Sequence, residues 1–277
     1  MYLIRKMLRQ DVDFAIDLAA EEGWNPGISD AGSFYSADPD GFFISELDGE
    51  PIGCISAVSY GGSYGFIGLY IVKPEYRGRG YGIKLWDAAM GYLGDRNIGL
   101  DGVIAQQEDY KKSGFKLAYR NIRYTGTAPG SKAAERVTDL NDVPFEDLVE
   151  YDGNIFSVRR PGFLKGWVAR PGGAAVAVLE EGRLAGYGVI RECRAGYKIG
   201  PIFADDGTIA EDLFNALSSK AHGKPVFLDV PEINKDAVRL AEKYGMQPVF
   251  ETARMYTKPV DTSPVRKVFG VTTFELG

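Results

Sequence analysis

The segment FIGLYIVKPEYRGRGYGIKLWDAAM, residues 66–90, decides how the first half of this chain folds. Its apolar run ends at Val72, and Lys73-Pro74 then breaks the strand pattern. Three glycines, at positions 78, 80 and 82, come directly before a predicted helix from Tyr81 to Leu93. The sequence therefore predicts a strand, a tight turn and a helix. The apolar face of that helix is expected to contain Ile83, Trp86, Met90 and Leu93.

This turn has the chemistry of a phosphate site. Backbone N–H groups at the start of a helix have no partner within the helix, glycine leaves them unshielded, and the helix dipole favours an anion. Arg77 and Arg79 add positive charge. The glycines read G-x-G-x-G instead of G-x-G-x-x-G, and no Gly-Lys-Ser/Thr follows, so neither a dinucleotide site nor a P-loop is expected. A turn whose glycines serve only packing is the alternative.

The rest of the first half alternates helices and strands. A helix from about Asp11, which can cap it, to Ala20 precedes a polar loop at residues 21–32. Two strands at 41–47 and 51–60 are joined through Asp48-Gly49, a hairpin signal. A strand at 101–105, a short helix at about 108–113 and a strand at 115–124 complete an α/β or α+β domain.

The second half repeats this order of elements. Strands are predicted at 174–180, 183–191, 197–204, 225–230 and up to Tyr256, with helices at about 209–221 and 236–244. The spacing of Gly49 and Gly53 recurs as Gly182 and Gly186, which indicates an internal duplication. Because residues 125–134 are rich in small and turn-forming types, we divide the chain into a domain at 1–125, a linker at 126–136 and a domain at 137–277.

Composition excludes several classes of protein. The 277 residues carry a net charge of −6, with 45% hydrophobic and 25% charged residues. No basic run fits nucleic acid, and no apolar stretch approaches the roughly 18 residues of a membrane span. The N-terminus lacks an apolar signal core, and Cys54 and Cys193 are far apart, so we expect a cytoplasmic protein without disulfides. The single histidine, His222, lies at a predicted helix end and metal-ligand spacings are missing, so neither a catalytic triad nor a metal is expected.

The run V-x-P-E-Y-R-G-R-G-Y-G resembles motif A of the GNAT acetyltransferases, whose loop holds the pyrophosphate of coenzyme A. Tyr110, four residues before Gly114-Phe115, also fits the pattern of that superfamily. The resemblance implies two tandem GNAT-like domains, each a mixed, mostly antiparallel twisted sheet flanked by helices. The second domain is similar to degenerate GNAT domains, because residues 204–207 read Ala-Asp-Asp-Gly at the place of the cradle and Ala241 replaces the tyrosine. We expect it to wall the acceptor site or to mediate dimerisation, and a homodimer is possible.

The resemblance also implies a reaction, an acetyl-CoA cosubstrate and a set of site residues. An acceptor amine would attack the thioester directly in a ternary complex, with Tyr110 as the acid for the departing sulfur. Backbone amides at the end of the fourth strand would bind the thioester carbonyl and the pantetheine. The implied cofactor-binding residues are Tyr70, Ile71, Val72, Arg77, Gly78, Arg79, Gly80, Tyr81, Gly82, Ile83 and Tyr110.

The general base and the acceptor site are predicted less directly. The strand FIGLYIV contains no carboxylate, so the glutamate that many GNAT members carry there is missing. The candidates for the base are Glu21, Glu22 and Asp30 of the polar loop, acting directly or through water, and Glu22 is our choice among them. The predicted acceptor residues are Glu21, Glu22, Trp24, Asn25, Asp30 and Tyr60. A solvated acidic loop whose tryptophan closes the core is the alternative. We expect acetyl transfer to the primary amine of a small molecule; a non-catalytic acyl-CoA or metabolite sensor and a protein N-acetyltransferase are the rival functions.

Overall fold

The computed structural model describes residues 1–128, 134–221 and 223–277, so His222 and residues 129–133 of the predicted linker lie outside the described residues. The described part contains thirteen strands and eight α-helices. The first half contains β1 (Tyr2–Lys6), α1 (Asp11–Glu21), α2 (Asp30–Ala37), β2 (Phe42–Leu47), β3 (Glu50–Tyr60), β4 (Tyr64–Val72), α3 (Tyr81–Leu93), β5 (Asn97–Val103), α4 (Gln107–Lys112) and β6 (Lys116–Thr127). The second half contains β7 (Val137–Asp139), α5 (Phe145–Phe156), α6 (Pro161–Val168), β8 (Ala174–Glu180), β9 (Arg183–Glu192), β10 (Tyr197–Ala204), α7 (Gly207–Ser219), β11 (Pro225–Pro231), α8 (Lys235–Lys243), β12 (Gln247–Tyr256) and β13 (Val268–Gly270).

The two halves repeat one order of elements and share one sheet. Its strand order is β1-β2-β3-β4-β5-β12-β6-β11-β10-β9-β8-β7, with β13 beside β10. Among the strand pairs of the described residues, only β4–β5 and β10–β11 are parallel. The predicted fold class, a mixed and mostly antiparallel sheet flanked by helices, is therefore confirmed.

The halves exchange their last strands at the centre of this sheet. β12 of the second half pairs with β5, and β6 of the first half pairs with β11. β6 and β12 also pair with each other. Because each half completes the sheet of the other, the two predicted sheets form one continuous structure. β6 ends at Thr127, inside the predicted linker, so the division at residues 125 and 137 stays a proposal.

The strong local signals predicted their elements well. α3 runs from Tyr81 to Leu93 as expected. The Asp48-Gly49 turn joins β2 and β3 with φ of +52° and +85°, the conformation that a tight hairpin of this type requires. The predicted strands of both halves are found within a few residues of their expected ends.

Two details of the helices were wrong. Asp11 is the first residue of α1 and not its cap; its carboxylate pairs with Arg5 at 2.6 Å and accepts from the Leu8 amide at 2.8 Å. Ile83 is 57% exposed, because the first turn of α3 faces solvent beside the glycine turn. The buried face of α3 instead consists of Leu85, Trp86, Ala89 and Leu93.

Several elements gave no usable signal in the sequence. The predicted polar loop ends early, because α2 begins at Asp30. This helix packs on α6, where the rings of Phe34 and Trp167 stack with centroids 6.1 Å apart. α5, α6 and β1 were also missed. None of the helices in the described part of the chain is both long and apolar enough to cross a membrane.

Candidate active site

A cleft opens in the sheet where β4 and β5 separate. The two strands pair only through residues 64–67 and 97–100, and no pairing continues beyond Ile67 and Leu100 in the described register. On its other edge, β4 carries a bulge against β3, with Leu69 at a φ of +46°. The bulge changes the direction of β4 at the point where β5 separates from it. A cavity of about 440 Å³ lies in this gap.

Both halves of the chain line the cavity. Its first-half residues are Glu22, Trp24, Ile67, Gly68, Leu69, Tyr70, Ile71, Val72, Tyr76, Arg77, Gly78, Gly82, Leu100, Asp101, Val103, Gln106 and Tyr110. Its second-half residues are Phe250, Thr252, Phe274 and Glu275. The predicted cofactor residues Tyr70, Ile71, Val72, Arg77, Gly78, Gly82 and Tyr110 are thus brought together. Arg79, Gly80, Tyr81 and Ile83 are in the adjoining turn and helix start but do not line the cavity.

The glycine turn leaves the start of α3 uncovered. Gly80 occupies the N-cap with φ of +80°, and no side chain caps the helix. Gly78 has φ of +74°, a conformation that glycine adopts without strain. At Gly82 the constraint is space, because a Cβ there would lie 2.7 Å from the hydroxyl of Tyr70. The first amides of α3 are therefore free of side-chain partners at the mouth of the cavity.

The two arginines of the turn behave differently. The Nε of Arg77 donates to the carbonyl of Val72 at 2.7 Å, and its guanidinium pairs with the Glu22 carboxylate. Arg79 is exposed and lies over the Tyr76 ring, 5.9 Å from its centroid. Arg77 is thus the cation held at the cavity, and its partner is the glutamate that the sequence suggested as the base.

Tyr110 is fixed in orientation by its neighbours. Its ring packs against Trp86 and Phe115, with centroids 5.6 and 6.4 Å away, and a Cβ at Gly102 would lie 2.5 Å from it. Burial raises the pKa of Tyr110 above its ordinary value, and the nearby Tyr70 adds to the effect. Burial likewise raises the pKa of Tyr70 to about 12. Both phenols therefore stay protonated at neutral pH.

Of the predicted acceptor residues, Glu22 and Trp24 line the cavity. Trp24 is held there from both halves, since its carbonyl accepts from Arg123 of β6 at 2.7 Å and from Lys198 of β10 at 3.3 Å. Glu21 is exposed and does not line the cavity. Only one side of the loop therefore reaches the site.

Three other predicted acceptor residues, Asn25, Asp30 and Tyr60, do not line the cavity and make structural contacts instead. Asn25 exchanges hydrogen bonds with the backbone of Ala195 at 2.9 and 3.0 Å and so ties the loop to the second half. Asp30 is fully buried and pairs with Arg170 at 2.5 Å and Arg191 at 3.3 Å. Burial acts to raise the pKa of Asp30, but the two arginines outweigh it and lower that pKa. Its charge is satisfied between the halves, away from the cavity.

Tyr60 is also a structural residue. Its hydroxyl donates to the carbonyl of Leu276 at 2.9 Å. Its ring packs between Tyr64 and Phe156, with centroids 5.9 and 5.1 Å away. It does not line the cavity, because it holds the final segment of the chain.

The sequence reasoning missed twelve residues of the cavity, and five of them, Asp101, Phe250, Thr252, Phe274 and Glu275, lie outside the segments that carry the predicted site. Asp101 accepts from Arg254 at 3.0 and 2.6 Å and from Asn121 at 2.8 Å, so its carboxylate is fully engaged. The other four come from β12 and the final segment. No local pattern marks them, since the strand exchange brings Phe250 and Thr252 to the first half and the final segment brings Phe274 and Glu275. Among the described residues, no group of three or more His, Cys, Asp or Glu side chains could hold a metal ion.

Comparisons with known proteins agree on one family for both halves. Residues 10–115 match the family described as Acetyltransferase (GNAT) family, and residues 148–270 match a second, described as Acetyltransferase (GNAT) domain. The chain is similar to the holothin acyltransferase of Pseudoalteromonas sp. (strain SANK 73390), at 29% identity over 94% of this chain and 89% of that protein. It is also similar to the uncharacterised N-acetyltransferase YitH of Bacillus subtilis, at 26% identity over 82% of this chain and 81% of that protein.

Solved structures share the whole arrangement. A Pyrococcus horikoshii protein assigned as an acetyltransferase superposes with a TM-score of 0.86 at 25% identity, covering 100% of this chain and 96% of its own. A tandem GNAT protein from the clavulanic acid biosynthesis pathway superposes with a TM-score of 0.64 at 14% identity, over 94% of this chain and 100% of its own. The second likeness concerns the fold alone.

Proposed function

We propose that this chain, which belongs to the GNAT superfamily of acyltransferases as a tandem-domain enzyme, moves an acetyl group from acetyl-CoA to the primary amine of a small-molecule acceptor. The observation that carries the proposal is the uncapped start of α3, which opens on a cavity between diverging strands. Free amides, a helix dipole and Arg77 suit a diphosphate there. The gap between β4 and β5 would then receive the pantetheine arm.

The residues of the cavity support direct transfer. Bound acetyl-CoA supplies an activated acyl carbon. Backbone amides around Tyr70–Val72 would hold its carbonyl oxygen as negative charge develops there. Tyr110 keeps its proton at neutral pH and would give it to the departing sulfur. Holding the amine beside the acyl carbon in one cavity supplies much of the remaining rate.

The acceptor end supports a small molecule. Trp24, Phe250 and Phe274 form an aromatic wall, and the residues from β12 and the final segment close the cavity from the second half. We therefore propose that residues 1–125 carry the catalytic groups and that 137–277 wall the acceptor site. The holothin acyltransferase aligns with nearly the whole chain, which supports an acyltransferase that uses both halves.

Two measurements test this function. Calorimetry with acetyl-CoA should give a stoichiometric binding isotherm, and a thiol-release assay over a panel of primary amines should then give turnover. Binding without thiol release on any amine would favour the sensor. Thiol release with peptides that carry a free N-terminus, but not with small amines, would favour a protein N-acetyltransferase. Failure to bind any coenzyme A thioester would overturn the proposal.

A further inference from the structure

Glu275 is a carboxylate at the cavity that lacks a partner. The residue is 3% exposed and lines the cavity. Its backbone is well held, since its amide donates to Thr273 Oγ1 at 3.1 Å and its carbonyl accepts from Ser56 Oγ at 3.5 Å. No hydrogen bond or ion pair reaches its carboxylate from the described residues. A buried charge without a direct partner is costly, so its presence calls for an explanation other than stability.

The other carboxylates at the cavity are already engaged. Glu22 pairs with Arg77, and Asp101 is held by Arg254 and Asn121. Both oxygens of Asp101 are engaged, and one oxygen of Glu22 is bonded to Arg77. Of the three carboxylates that line the cavity among the described residues, Glu275 is the one with neither oxygen engaged.

The position of Glu275 beside β4 suits chemistry at the acyl group. The Glu275 carbonyl packs directly on Gly68, where any side chain would collide with it. Gly68 follows Ile67, the last residue of β4 paired with β5. It precedes Val72, next to the glycine turn, by four residues, roughly 13 Å of strand. Glu275 thus enters the cleft where it opens, and the anion site lies at the other end.

Charged groups from neighbouring strands surround this carboxylate without touching it. Burial lowers the pKa of Arg123, but Asp229 chiefly and Glu275 also raise it. Burial and Arg123 lower the pKa of Lys198, while Asp229 and Glu275 act in the opposite sense. Arg123 itself makes a bidentate pair with Asp229 at 2.6 and 2.8 Å, and Lys198 bonds to Trp24. The electrostatic field of both cations reaches the Glu275 carboxylate, and neither side chain makes a hydrogen bond to it.

We propose that Glu275 is the proton acceptor for the incoming amine, supplied by the second half in place of the glutamate that β4 lacks. This inference rests on the proposed acetyl transfer. It gives the second half a catalytic group in addition to its role as a wall. It also gives the cavity opposite polarity at its two ends, with Arg77 for the diphosphate and Glu275 for a cationic amine.

The proton and electron balance is closed. An amine that arrives as an ammonium ion loses one proton to the Glu275 carboxylate, and its lone pair then forms the C–N bond with the acyl carbon. The C–S bond breaks, and the sulfur leaves with its electron pair and takes the proton of Tyr110. The second proton on nitrogen restores the Tyr110 phenol. The products are the amide, free thiol and a proton that Glu275 returns to solvent.

The test compares Glu275→Gln with the parent on whichever panel amine the parent acetylates fastest. The near-isosteric variant should lower kcat by about 100-fold, within the range of general base catalysis, and change the Kd for acetyl-CoA by less than about twofold. The loss should shrink as the pH is raised towards the pKa of the amine, because solvent then delivers the unprotonated nucleophile. Removing an unpaired buried charge should leave the melting temperature equal or higher.

Glu251→Gln is the matched control, since Glu251 lies on β12 between two cavity residues but does not line the cavity. It should keep the parent kcat. A Glu275→Gln variant with kcat within threefold of the parent would overturn the inference. So would a loss of kcat accompanied by a clear drop in melting temperature or weaker acetyl-CoA binding, because that is the signature of a structural role. If the parent itself releases no thiol with any amine, the proposed function fails and this inference with it.

Discussion

The two halves build the same strand, turn and helix and then finish the helix start in opposite ways. α3 begins at Gly80, which has no side chain to offer its first amides. α7 begins at Asp206, whose carboxylate accepts from the amides of Thr208 and Ile209 at 2.8 and 2.9 Å. A helix start binds an external anion only if the chain does not supply one. The second half thus uses one residue of its own to cap the helix amides that the first half leaves free.

The cleft between β10 and β11 in the second half is also closed by the chain, whereas the cleft between β4 and β5 in the first half is open. β10 and β11 also pair for only three residues before they separate, but β13 enters beside Ile202 and Phe203. The Val271 amide then donates to the Asp229 carbonyl at 2.8 Å. The gap that stays open between β4 and β5 is thus filled by the chain in the second half. After filling it, the chain continues to Phe274 and Glu275 in the first cleft, so the two halves serve a single site.

Copying the second-half cap into the first half should have the largest effect. Gly80→Asp places a carboxylate at the N-cap of α3, where it can bond the free amides and repel a diphosphate. We expect the Kd for acetyl-CoA to rise by at least about 1000-fold, or ~4 kcal/mol, measured by calorimetry. Gly80→Asn is the matched control, because asparagine tolerates positive φ and carries no charge, and it should lose far less affinity. If the aspartate variant and the parent bound acetyl-CoA with equal affinity, the start of α3 would not be the diphosphate site.

Removing the hydroxyl of Tyr110 should have the second largest effect. Tyr110 is the residue of α4 that the second half replaces with Ala241, and Tyr110→Phe removes the proton donor while keeping the ring packed on Trp86. We expect kcat to fall by about 100-fold with the Kd for acetyl-CoA nearly unchanged, measured by thiol release and calorimetry. Tyr244→Phe, beside α8 in the second half, should leave both values at those of the parent. An unchanged kcat in Tyr110→Phe would contradict the assignment.

The reverse exchange should affect stability alone. Asp206→Ala removes two capping hydrogen bonds from α7 and should lower the free energy of unfolding by about 1 kcal/mol, measured by urea titration. It should not create acetyl-CoA binding, because β13 still fills the second cleft. Gain of a second binding site in calorimetry would show that the cap, and not β13, is what closes this half. An unchanged unfolding midpoint would show that the cap does not stabilise α7.

Local physics made the fold and the cradle readable from the sequence. Gly80 and Lys73-Pro74 punctuate the chain strongly, and α3 has the apolar period of a packed helix. α2 was not predicted because its eight residues are mostly small or polar and lack the apolar period of a packed helix. The duplication was visible because both halves keep the same element order. The exchange of β6 and β12 was not, since pairing between distant strands leaves no mark on either strand alone.

Site residues could be predicted from the sequence only where they belong to one continuous segment. The turn and Tyr110 belong to motifs, whereas Glu275 reaches Gly68 across about two hundred positions of chain through a contact that no spacing rule anticipates. For Asp30 and Tyr60 the sequence reasoning had the opposite difficulty, because it predicted a place in the acceptor site for residues that do not line the cavity. A carboxylate or phenol beside a glycine-rich loop has the same appearance in sequence whether it meets a ligand or, as here, fills an interface between halves.

The smallest expected effect concerns Glu22, the base that the sequence favoured. In the structure it shares Arg77 with the anion site, and a half-exposed pair of this kind contributes under about 1 kcal/mol. Glu22→Gln should therefore free Arg77 and lower the Kd for acetyl-CoA by about two- to threefold, with kcat within twofold of the parent, measured by calorimetry and initial rates. Glu21→Gln, the same charge change at an exposed neighbour that does not line the cavity, should alter neither value. A Glu22→Gln variant that binds acetyl-CoA normally but loses kcat by about 100-fold would show that Glu22 is the general base. The second half would then only line the acceptor site and supply no catalytic group.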